Sequence, residues 1–108
     1  MEPGKELDRK FADLINYISL TTHLNTDGSF GSIPQYSTTW DGMRLVVDEM
    51  VGRGWWPKIE MTGEGWYAVN FWNWRTAEES QLVLYKSAPY SVIKSAIIIL
   101  EKDKTLDK

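Results

Sequence analysis

The chain has 108 residues, 43% of them apolar and 25% charged, which fits one globular domain with one core and excludes a disordered chain. Its 12 basic and 15 acidic side chains leave a net charge of −3, the wrong sign for the basic footprint of a nucleic-acid binder. The absence of cysteine excludes a disulfide framework and thiolate chemistry. The opening residues Met1-Glu2-Pro3-Gly4-Lys5-Glu6 are charged and lack a signal-peptide core. The apolar run Ala96 to Leu100 is far shorter than the roughly 20 residues of a membrane span, so a cytoplasmic location is expected.

Leu7, Phe11, Leu14, Ile15 and Ile18 recur at a spacing of three and four, which predicts a helix near residues 4–19. Pro3 suits its start, and Glu6, Asp8, Arg9, Lys10 and Asp13 fall on the opposite, solvated side. Asn25, Asp27-Gly28, Gly31 and Pro34 then mark a long turn-rich connection. Thr38 with Asp41 three residues on resembles a capping box, and Trp40, Met43, Val46, Val47 and Met50 form the apolar face of a second helix near 38–52. Gly52 and Gly54 end it.

Residues 55–61 alternate as a strand with Trp55, Pro57, Ile59 and Met61 on one face, and Pro57, lacking a donor, points to an edge or a strand start. Thr62-Gly63-Glu64-Gly65 is a hairpin turn. The return strand, near 66–74, puts Tyr67, Val69 and Phe71 on one face and Trp66, Ala68, Asn70, Trp72 and Trp74 on the other. Pairing through that turn sets residue 56 opposite 71 and 55 opposite 72. A polar link leads to a third strand near 81–86. Pro89 opens a last helix near 89–101, with Val92, Ile93, Ala96, Ile97, Ile99 and Leu100 as its apolar stripe, and 102–108 reads as a frayed charged tail. The expectation is a single α+β domain over 1–108, core about 4–101, of order ααβββα. Short turns favour a short antiparallel sheet of about three strands, and its two apolar faces suggest helices on both sides, an α/β/α sandwich.

The run Ile33-Pro34-Gln35-Tyr36-Ser37-Thr38 with Trp40 following, then Gly54-Trp55, Gly65-Trp66-Tyr67-Ala68, and Ala88-Pro89 opening a helix that carries Ala96, resembles the phage ABA-sandwich domain family over roughly residues 33–101. The resemblance implies a sheet between helical layers and a phage or prophage source, and it brings no established reaction.

Candidate chemistry is sparse. His23 is the only histidine and sits in the turn-rich segment, where a surface role outweighs a catalytic one. Asp48 and Glu49 are adjacent on a helix and point about 100° apart, and Glu78-Glu79 lies in a polar link. No Asp/Glu/His spacing matches a metal set, so no catalytic residue, metal or cofactor is expected. Gly52-Arg53-Gly54 and Gly63-Glu64-Gly65 are turns and not phosphate loops.

The six tryptophans are the anomaly. Trp40, Trp55 and Trp66 fit core positions, whereas Trp56, Trp72 and Trp74 exceed what one small core accommodates. Two readings stay open for them: plain packing, including packing in a homodimer, or, with Lys58 and Arg75 nearby, a candidate binding surface of Trp56, Lys58, Trp72, Trp74 and Arg75. The sequence therefore reads as a non-enzymatic phage or prophage protein, acting in the host cytoplasm, that binds a host protein through this aromatic surface and forms a homo-oligomer. The alternative is a small-ligand binder for a nucleotide-like molecule, with stacking tryptophan and a basic anchor.

Overall fold

The computed structural model describes residues 3–15 and 34–106. His23, Ile18 and the turn chemistry between Asn25 and Gly31 lie outside them. The elements are α1 (Lys5–Leu14), α2 (Trp40–Gly52), β1 (Trp55–Met61), β2 (Tyr67–Asn73), β3 (Val83–Tyr85) and α3 (Ala88–Leu106). The fold is α+β of order ααβββα, as the periodicity indicates, and the strands form one antiparallel sheet in the order β1-β2-β3. Charged residues after Leu100 extend α3 beyond the expected frayed end. Glu101 and Lys102 are good helix formers, and Glu101 reaches Lys10 of α1 at 3.2 Å.

The distribution of helices over the sheet differs from the expected sandwich. One core unites Leu7, Phe11 and Ala12 of α1, Val46 and Met50 of α2, Val69 and Phe71 of β2, and the apolar side chains of α3. α2 and α3 pack on the sheet face that carries Val69 and Phe71, and α1 stacks on α3. Among the described residues, the helices thus lie on one side. The other face, with Trp56 and Trp72, remains exposed. Apolar residues on both faces of a strand predict double coverage only if the helices divide between the faces. Here α3 is buried nearly all round and draws both other helices to itself.

Two local details also depart from expectation. Asp8 is buried, not solvated: its carboxylate accepts a hydrogen bond from the Ser37 N–H at 2.8 Å, while the Ser37 hydroxyl accepts from the Gly4 N–H at 2.8 Å. This pins the start of α1 to the segment leading into α2. The cap of α2 is Thr39, not Thr38. Its hydroxyl accepts from the Gly42 N–H at 2.9 Å and donates to the Gln35 carbonyl at 2.9 Å. The tighter start brings the 35–36 backbone across the first turn of α2, so a Cβ at Gly42 would run into the Gln35 carbonyl.

Gly42→Ala should therefore cost about 1–3 kcal/mol of stability through overpacking, despite the better helix propensity of alanine. Gly52→Ala, whose new methyl meets nothing within 4 Å among the described residues outside its own helix turn, should be neutral or mildly stabilising. Urea unfolding midpoints of the two variants check this contrast.

Candidate functional site

The hairpin decides which tryptophans meet. β1 and β2 pair in the register Trp55↔Asn73, Trp56↔Trp72, Pro57↔Phe71 and Met61↔Tyr67. The expected pairing of 56 with 71 and 55 with 72 is one residue out. The loop between Met61 and Tyr67 includes Trp66 as well as the Thr62–Gly65 turn: the Thr62 N–H donates to the Trp66 carbonyl at 2.7 Å, and the Thr62 hydroxyl accepts from the Trp66 N–H at 3.2 Å. Gly65 supplies the positive φ of 84° that this loop needs. A slip of one residue changes every cross-strand neighbour. Trp55 consequently shares the inner face with Val69 and Phe71, and Trp56 sits beside Trp72 on the outer one.

The other strand edge contains a bulge. Between the pairs Val69↔Val83 and Trp72↔Glu79, β2 contributes Asn70 and Phe71 while the returning chain contributes Ser80, Gln81 and Leu82. Ser80 manages the mismatch: its hydroxyl accepts from the Phe71 N–H at 2.8 Å, its own N–H donates to the Phe71 carbonyl at 2.8 Å, and its Oγ lies 3.3 Å from that of Ser95 on α3. The bulge shortens the third strand to 83–85 and brings Glu79 beside Trp72. Glu79 then pairs with Lys58 across the sheet at 2.7 Å. Nothing in the hydrophobic pattern marks Glu79 for this place, because the polar link carries no period and the bulge shifts the count.

At the end of β2, the buried Asn73 side chain accepts from the N–H groups of Arg75 (2.8 Å) and Thr76 (3.2 Å) and fixes a tight turn. The Trp74 N–H donates to the Gly54 carbonyl at 3.2 Å, so the turn is tied back to the start of β1. Gly54 has φ +96°, and a Cβ there would lie 3.5 Å from Cδ and Nε of Arg75. The guanidinium of Arg75 stands 5.0 Å from the centre of the Trp74 ring.

All five residues proposed from the sequence are exposed, and the register and the turn bring them together. Trp56, Lys58 and Trp72 share the outer sheet face, with Trp74 and Arg75 beyond its end. Sequence reasoning missed Glu60, which follows Lys58 on that face by alternation, and Leu84, which faces Ala68 from β3 and is over half exposed. Of the three tryptophans assigned to the core, Trp55 packs partly against it, and Trp66 is half-buried beside Tyr85 and Lys86. Trp40 is the correction: it is 59% exposed, because the Thr39 cap leaves it as the first helical residue, edge-on to Tyr67.

No protein-family model, curated protein or solved structure gives a significant match to the chain.

Because the outer face is solvated, Trp56→Ser and Trp72→Ser should each cost no more than about 1 kcal/mol, the scale of a cross-strand pair. Phe71→Ala, on the inner face of the neighbouring position, should cost about 3–5 kcal/mol. Thermal and urea unfolding of the three variants distinguish this open face from a covered one.

Proposed function

We propose that the chain is a non-enzymatic protein-interaction module whose uncovered sheet face is its docking surface. The observation that carries this reading is the cross-strand pair Trp56–Trp72, held in solvent by a hairpin whose second strand commits its opposite face, at Val69 and Phe71, to the core. Solvating two large rings forgoes the free energy their burial would release, a cost that a partner surface removes. Tryptophan and arginine are the residues that most often dominate such contacts. Lys58, Glu60, Arg75 and Glu79 supply a polar rim around the apolar centre. The resemblance of residues 33–101 to phage ABA-sandwich proteins suggests a phage or prophage source and, with it, a host-cell protein as one class of partner, met in the host cytoplasm.

A nucleotide-like ligand fits less well. Lys58, the cation nearest the tryptophan pair, is already paired with Glu79, which the phosphate of such a ligand would have to displace. The carboxylates of Glu60 and Glu79 beside it repel an anion.

A photo-crosslinking phenylalanine derivative placed at Trp72 and activated in cells should give a covalent adduct with a protein. The same residue at Gly63, in the exposed hairpin turn, should give none. Absence of a protein adduct at position 72, or equal adducts at both positions, overturns the reading.

A further inference from the structure

We infer that the partner seated on this face is a second copy of the chain, related by a two-fold axis that runs across the strands between the Trp56/Trp72 row and the Lys58/Asn70 row. The inference rests on the docking-surface reading and names its occupant. The pairing sets out the face as successive rows: Gly54 with Arg75 lying over it, then Trp56 with Trp72, then Lys58 with Asn70, then Glu60 with Ala68 and Leu84. A two-fold axis in that position superposes β1 on β1 and β2 on β2 of the other copy, with the row order reversed.

Each row then meets a chemically fitting one. Trp56 of one copy covers Lys58 of the other, a cation over an aromatic face. Trp72 meets Asn70. Arg75, whose side chain lies over Gly54 at the end of the β1 column, meets Glu60 at the other end of that column, a charge pair made twice by symmetry. The small side chain of Ala68 receives the bulk of Trp74 at the end of the β2 column.

Charge and area both point to self-association. The face holds three cations, Lys58, Arg75 and, beside Trp66, Lys86, against two carboxylates, Glu60 and Glu79, so its net charge is too small to attract a strongly charged partner. Lys58 and Glu79 neutralise each other within one copy, while Arg75 and Glu60 stand at opposite ends of the β1 column, the order that the axis inverts. Trp56, Trp72 and Trp74 are 50%, 38% and 51% exposed, about 300 Å² of aromatic surface. Leu82, Leu84 and the rim charges extend this toward the roughly 600–1,000 Å² per partner that a specific interface buries.

Sedimentation equilibrium over a range of concentrations tests the proposal. Wild type should move from the 12.5 kDa chain to twice that mass as concentration rises. Glu60→Arg and Arg75→Glu should each raise the dissociation constant by about tenfold or more, because each reversal acts at two symmetric contacts. The double reversal should restore most of the affinity, with circular dichroism unchanged throughout. A single-chain mass up to about 1 mM, or a dimer indifferent to both reversals, overturns the inference. If the chain is monomeric yet position 72 crosslinks to a different protein, the two-fold dimer falls while the docking surface stands. If it is monomeric and gives no protein adduct, both fall.

Discussion

Helix α3 sets the terms for the other elements. Between residues 91 and 100 only Lys94 and Ile98 escape full burial, and the helix is too apolar to lie on a surface. It packs on β2 and β3, against α2, and under α1, so it forms the middle of the domain. Its two buried serines are satisfied locally. Ser91 donates to the Ser87 carbonyl at 2.9 Å, and Ser95 meets Ser80 of the bulge at 3.3 Å. A central helix that must be covered on several sides takes up both remaining helices. The outer sheet face is left to solvent for that reason, and not because its own residues are polar.

How much of this was legible follows from where the information lies. Helix and strand identities come from periods of 3.6 and 2, which short windows of sequence carry, and those elements appear in the expected order. The layer arrangement is not a local property. Alternation in β2 shows that both faces are apolar, yet nothing in Trp66 to Trp74 says whether α1 packs on the sheet or on α3. Register was missed for a related reason. Gly63 and Gly65 mark a turn, but whether Trp66 belongs to the loop or to the strand depends on the Thr62 hydrogen bonds. A surplus of tryptophan is visible in composition alone, but which rings it leaves in solvent is not: Trp40, which fits a core position by its spacing, is exposed along with Trp56, Trp72 and Trp74. Glu79 was not legible, since its position depends on the extra residue between Ser80 and Leu82.

The same face shows how the fold limits indiscriminate pairing. β1 is an edge strand, and an edge beside exposed tryptophans invites strand addition. Phe71 directs both its N–H and its carbonyl to Ser80, so the opposing Pro57 has its own backbone turned away from β2, toward the open edge. A donor is therefore missing in the middle of the free edge, and the neighbouring Lys58 and Glu60 add charge beside it. Edge pairing is obstructed, while the face itself stays accessible. Contact is steered from the backbone to the side chains.

That division has a consequence for specificity. Main-chain pairing is tolerant of sequence, whereas side-chain docking on a strand face depends on register and on which residues follow one another. Here the bulge at Ser80–Leu82 and the Asn73-capped turn set the two ends of the row of exposed groups: one places Glu79 against Lys58, the other holds Arg75 over Gly54 and Trp74. Both devices lie outside the regular strands, and both are anchored to buried groups, Ser80 through Ser95 of α3 and Asn73 by its own burial. The positions of the exposed charges are thereby referred back to the core. A surface built this way presents a fixed pattern of ring and charge instead of a loose apolar patch, and a fixed pattern is what allows a flat sheet face to discriminate between partners.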